Sequence, residues 1–159
     1  MAETAPVSEF PLETIRAAHR QTFIIVASIA ATLPIYAIVV EIIRRSEPGA
    51  APVTTAAMLR IVFFILAGVC IFTATMLKGL LLRTVPATAE ARLARLRVSS
   101  IVTAALAEGP AVLGFALFIL TRSRADFYIL LVVAAYLLVR HLPQQAAWEL
   151  YVRRGGDAR

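Results

Sequence analysis

Four apolar blocks, separated by short polar stretches, set the pattern of this chain. They cover residues 22–43, 58–82, 98–120 and 125–142. A helix needs about 20 apolar residues to cross a bilayer. The pattern therefore predicts an all-α, integral membrane four-helix bundle that forms a single domain. Residues 1–21 and 143–159 fall outside the spans and are expected to be cytoplasmic or interfacial.

The connections carry their own signals. Residues 1–10 are polar and read as a loose tail. Pro11 and Glu13 suit a helix start. Leu12, Ile15 and Ala18 share one side, so this lead-in is expected to lie at the membrane surface. Pro34, in the middle of the first span, frees the Ala30 carbonyl and predicts a kink. Glu41 precedes Arg44 and Arg45 by three and four residues, the spacing of ion pairs on one helical face. Pro48, Gly49 and Pro52 punctuate a loop over residues 44–57. Arg60 and Lys78 stand toward the ends of the second span and can snorkel outward. Thr88 or Pro86 can start a helix that has Leu93 and Leu96 on one side and continues into the third span. A tight turn over residues 121–126 leads to the fourth span, which Pro143 brings to an end. A short interfacial helix over residues 144–154 then places Trp148 and Tyr151 at headgroup level. The last five residues read as a tail.

Composition supports the membrane reading. Hydrophobic residues make up 60% of the 159, and the mean hydropathy is +0.80. Soluble domains are nearer about 45–50% apolar. The formal charge of +6 does not imply nucleic acid, because the basic residues flank the apolar blocks. Of the sixteen lysines and arginines, eleven fall on the side of the termini and five on the other. The positive-inside rule then makes both termini cytoplasmic, in a multi-pass protein of the cell's inner (plasma) membrane. The expected partner is the lipid bilayer, with a homo-oligomer or a larger membrane complex as further possibilities. There is one cysteine, Cys70, so no intrachain disulfide can form.

One residue carries possible chemistry. Glu108 lies about ten residues from each end of the third span, close to the midplane at 1.5 Å of rise per residue. Ionised in hydrocarbon it is costly, so it stays protonated or finds a cation. No arginine, lysine or histidine of this chain shares its depth, which favours the neutral acid. Gly109 and Pro110 come directly after it, and Pro110 frees the Leu106 carbonyl and predicts a helix break. Ala104, Ala105 and Ala111 give the helix a small-residue face that lets a neighbour approach. Thr32, Tyr36, Thr73 and Tyr136 lie within a turn or two of the midplane and can complete a hydrogen-bonded pocket. The sequence leaves three readings open: a neutral acid tying helices together, a proton or cation site of a transporter or rotor ring, or a contact to a partner subunit or lipid-like ligand. An accessory subunit of a membrane complex belongs to the last.

Other chemistry finds little support in the sequence. The spans offer no nucleophile–base pair, metal-ligand cluster or phosphate loop, so no enzyme and no cofactor is expected. His19 and His141 stand at one membrane edge, where bis-histidine haem ligation needs a facing pair. Laying Pro34 over Pro110 superposes Thr32 on Glu108 and matches Ile25, Val26 and Ala31 with identical residues. That is a faint internal repeat.

The segment from Ala105 to Phe115 resembles the carboxylate-bearing helix of the ATP synthase ring subunit c. A glutamate and a glycine six residues later, here Glu108 and Gly114, carry the likeness. It implies reversible protonation of Glu108 facing a stator subunit. That family's partner helix is dense in glycine, whereas residues 22–43 hold none and the second span holds only Gly68 and Gly79. Over its whole length the chain is similar to small uncharacterised bacterial four-span proteins. The Glu-Gly-Pro-Ala step at Glu108–Ala111, the basic helical lead-in and the polar, proline-containing C-terminus carry that resemblance. It implies the architecture and a shared site, but no activity.

Overall fold

The computed structural model describes residues 12–46, 56–83, 86 and 88–154. The polar N-terminal tail, Pro11, the loop at Pro48, Gly49 and Pro52, and the last five residues lie outside this range. The helices are α1 (Leu12–Ala30), α2 (Thr32–Ser46), α3 (Ala56–Arg83), α4 (Ala89–Thr121), α5 (Arg124–His141) and α6 (Gln145–Arg154). Among the described residues there is no strand.

Three helical stretches are long and apolar enough to cross a membrane: Leu12–Ser46, Ala57–Leu81 and Ala89–Thr121. A fourth qualifies only as the bent pair of α5 and α6, which meet at 47°. The reason is that α5 has 18 residues and carries Arg124, Asp126 and Arg140 near its ends. It is about 27 Å long at the helical rise, with little apolar length to spare.

The fold is organised around α4. Its 33 residues extend about 50 Å, well beyond a hydrocarbon core of about 30 Å. Thr88 caps its start by accepting from the Ala91 N–H, and Glu90 complements the first turn. Arg122 ends it in the left-handed region at φ 57°, and the Arg122 N–H returns to the Phe118 carbonyl. The Arg122 guanidinium lies 5.9 Å from the Phe118 ring centroid.

Three core clusters stack along α4. The first joins Ile15 and Ala18 of α1 to Leu93 and Leu96 of α4 and to Trp148 and Val152 of α6. The second joins Val26 and Leu33 to Ala104, Ala107 and Ala111 and to Ala134, Leu137 and Leu138 of α5. The third joins Val40 of α2 to Phe118 and Phe127. Residue numbers rise together, so α1 and α2 run parallel to α4.

The two prolines act differently. At Pro34 the helix is interrupted for one residue, Ala31, and Pro34 takes a place in the first turn of α2. At Pro110 the expected break does not occur, because α4 is helical throughout. Gly109 has no Cβ to clash with the proline ring. Its bare face meets Cys70 of α3, where an added Cβ would lie 3.1 Å from Sγ. Pro110 itself is buried, so packing on the surrounding helices holds the helix together.

The first cluster shows what the apolar sides of the lead-in and of α6 pack on. Ile15 and Ala18 are buried, and Trp148 is only 3% exposed. The buried Arg92 guanidinium donates to the carbonyls of Pro86 (2.8 Å) and Val152 (2.7 Å), fastening α6 to α4. His19 Nε2 lies 2.9 Å from the Pro143 carbonyl, and its ring meets Trp148 edge-on. These contacts make a three-helix cap at this end of α4.

Candidate functional site

Glu108 projects from the middle of α4 toward the start of α2. Thr32 opens α2 immediately after Ala31, and Tyr36 lies one turn later on the same face. The buried Ala104, Ala107 and Ala111 let the helices approach at this level. Tyr36 Oη donates to Glu108 Oε1 at 3.0 Å. Thr32 Oγ1 lies 2.6 Å from the same Oε1 and 2.6 Å from the Ile29 carbonyl oxygen. The Tyr36 ring stacks on Phe115, with centroids 5.5 Å apart. All three polar residues are half-buried. The separation of Thr32 and Glu108 is 76 residues, which is the offset of the faint internal repeat, so positions matched by that overlay touch in space.

The remaining candidates fall elsewhere. Gly109 faces Cys70 of α3, and Pro110 is buried beside the acid without bonding it. Thr73 is exposed on α3. The inner line of that helix runs through Ala67, Cys70 and Ala74, and Thr73 is one residue off it. Tyr136 is 61% exposed on α5. There the inner line runs through Leu130, Ala134, Leu137 and Leu138. Both residues have a suitable depth but lie on the wrong face.

A second polar layer, which the sequence did not reveal as a layer, lies toward the other end of the bundle. Arg60 Nε donates to Asp126 Oδ2 at 2.8 Å and links α3 to α5. The expected ion pair of Glu41 forms with Arg44 at 2.8 Å. Glu41 also accepts from Tyr128 Oη at 2.9 Å, linking α2 to α5. A signal for the first link was present. Arg60 and Asp126 each stand one or two residues inside an apolar block, at the same end, with opposite charge.

His19 bonds the Pro143 carbonyl, and His141 Nδ1 lies 2.8 Å from its own Leu137 carbonyl. No group of three or more His, Cys, Asp and Glu that could hold a metal occurs among the described residues. In comparisons with known proteins, the chain matches no family model, no curated protein and no solved structure.

Proposed function

We propose that this chain is a four-span protein of the inner (plasma) membrane with cytoplasmic termini. In this reading Glu108 is a protonated acid that ties the interrupted first span to α4, and it has no catalytic role. The membrane assignment is supported by the three or four spanning-length helices and by the arginine-rich cap end.

The observation that carries the assignment of Glu108 is the pair of 2.6 Å contacts meeting at Thr32 Oγ1. Each contact needs a proton between its two oxygens. The Ile29 carbonyl has none, and Thr32 has one. An ionised Glu108 would share the single Thr32 proton with the Ile29 carbonyl; with Glu108 protonated, as proposed, the acid supplies the other. Glu108 then donates to Thr32, Thr32 donates to Ile29, and Tyr36 donates to Glu108. The acid thus fastens α4 to both sides of the Ala31 interruption.

Replacing Glu108 tests this directly. Glu108→Gln supplies both a donor and an acceptor, so it should unfold in detergent at nearly the denaturant concentration of the wild type. Glu108→Leu should cost about 1–3 kcal/mol, because Tyr36 and Thr32 lose their partner. Equal destabilisation by Gln and Leu would defeat the neutral-acid reading.

A second reading is favoured by one observation, the half-burial of this acid beside an interrupted helix. Intramembrane acids mark ion paths by default, and an interrupted helix at the midplane is a common setting for them. Proton or cation translocation through Glu108 predicts labelling by an apolar carbodiimide, protection by a specific cation or by high pH, and loss of flux in vesicles with Glu108→Gln. An unchanged flux with that variant eliminates it.

A further inference from the structure

An open cleft of 390 Å³ lies at the cap end between α1 and α4, lined by Thr14, Glu90, Leu93, Ala94 and Arg97. The four α4 residues stand at positions i, i+3, i+4 and i+7, on one helical face. Arg97 Nε is buried and has no hydrogen-bond partner among the described residues. A guanidinium stays charged and only donates, so with Nε covered by protein atoms it is the terminal nitrogens of this half-buried side chain that are left to meet an acceptor entering the cleft.

The cleft has a direction. Arg97 borders the long apolar run that begins at Val98. Glu90, which is exposed, precedes it by seven residues, about 10 Å outward along the helix. Leu93 and Ala94 form an apolar wall between the two charges. On the other side of Arg97, an exposed apolar strip continues along α4 through Val98, Val112 and Ile119. Moving outward, a ligand meets apolar surface, then a cation, then a short apolar wall, then a carboxylate with the Thr14 hydroxyl nearby.

We propose that this cleft binds the headgroup of a phospholipid carrying a phosphate and a primary ammonium. The phosphate accepts from Arg97 as a charge-assisted bond. The ammonium reaches outward to Glu90 and Thr14, and one acyl chain runs along the strip at Val98 and Val112. A primary ammonium has hydrogens to donate to a carboxylate and a hydroxyl, and a quaternary one has none. An anionic headgroup without an amine leaves Glu90 facing like charge. The proposal rests on the membrane reading above and is independent of the role of Glu108.

The full chain, purified in detergent, tests this by its thermal unfolding with added lipid and by native mass spectrometry of the bound lipid. Phosphatidylethanolamine should stabilise the chain and stay bound at concentrations where phosphatidylcholine and phosphatidylglycerol do not. Arg97→Gln should weaken that binding about tenfold or more, the size expected for losing one charged hydrogen bond. Arg97→Lys keeps the charge and should retain part of it. Glu90→Gln should erase the preference over phosphatidylcholine, with only the small loss of stability without lipid that a first-turn carboxylate contributes. Soluble glycerophosphoethanolamine and inorganic phosphate should give no comparable shift. Equal binding of the three lipids, a preference that survives both Arg97→Gln and Glu90→Gln, or a full shift with inorganic phosphate alone would overturn the proposal. Failure of the chain to insert into vesicles of any composition would instead defeat the membrane reading.

Discussion

Gly114 of α4 stands so close to α5 that a Cβ built on it would lie 2.9 Å from the Leu130 Cβ and 3.3 Å from the Phe127 carbonyl oxygen. Both neighbouring atoms are fixed to the α5 backbone, so neither can rotate away. Gly114→Ala should therefore push the two helices apart and destabilise the fold by about 1–3 kcal/mol, the usual scale of overpacking. Leu130→Ala cannot relieve this, because the Cβ remains; Leu130→Gly can in part. Gly68 and Gly79 of α3 have no neighbour within 4 Å of an added Cβ, and alanine there should be neutral. Denaturant unfolding in detergent checks the contrast. Equal midpoints for Gly114→Ala and Gly79→Ala would refute the α4–α5 packing.

The Arg60–Asp126 link predicts an asymmetric pair of variants. Asp126 is nearly buried, with 9% of its side chain exposed, whereas the Arg60 side chain is 53% exposed. Arg60→Ala strands a largely buried carboxylate and should cost about 1–2 kcal/mol, a value lowered by the solvent around the arginine. Asp126→Asn keeps an acceptor and leaves the arginine free to turn to water, so it should cost less. The double variant Arg60→Ala/Asp126→Ala should be less destabilised than the sum of the two alanine singles. Strict additivity would show that the link contributes nothing.

The elements of the fold were legible in the apolar blocks; the faces of the helices were only partly so. Outward and inward positions of these helices are alike hydrophobic, so hydrophobic pattern does not point inward as it does in a helix with a polar outer face. Exposed Ile61, Ile65 and Phe72 on α3 are as apolar as anything inside. Small residues mark the interior instead: Ala67 and Ala74 on α3, Ala104, Ala107 and Ala111 on α4, and Ala134 on α5 are all nearly or fully buried. Depth estimated from helical rise placed Thr32, Tyr36, Thr73 and Tyr136 near the level of Glu108. It could not say which pointed inward, and only the α2 pair does. In the cap the amphipathic positions Ile15, Ala18, Leu93 and Leu96 were plain. That they pack on Trp148 was not, because sequence shows an apolar face but not what covers it.

The two hydroxyls at Glu108 should not be equivalent. Thr32 lies in two 2.6 Å contacts, whereas Tyr36 lies in one of 3.0 Å. Thr32→Val keeps the shape but removes the oxygen that joins Glu108 to the Ile29 carbonyl. It should cost about 1–3 kcal/mol, because the half-buried Glu108 loses that partner. Thr32→Ser should restore most of that. Tyr36→Phe keeps the stacking on Phe115 and should cost about 0.5–1.5 kcal/mol. Unfolding midpoints order the three variants. A Tyr36→Phe variant that falls below Thr32→Val would show that Tyr36, not Thr32, makes the stronger bond to Glu108.

The cap should come loose separately from the rest of the fold. Trp148 fills a core shared with Ile15, Ala18, Leu93 and Leu96, while the clusters around Ala107 and Phe118 draw nothing from α6. Trp148→Ala should therefore remove about 3–5 kcal/mol of packing from the cap alone. His19→Ala should act in the same direction but more weakly, since it loses one bond to Pro143 and ring contacts with Phe23 and Trp148. The segment at 142–144 that joins α5 to α6 is the place where this shows, because His19 no longer holds it. Limited proteolysis should cut there faster in both variants, with Trp148→Ala ahead, and the fragment up to α5 should stay helical by circular dichroism. Loss of helicity through the whole chain on Trp148→Ala would mean that the cap and the helices below it unfold as one unit.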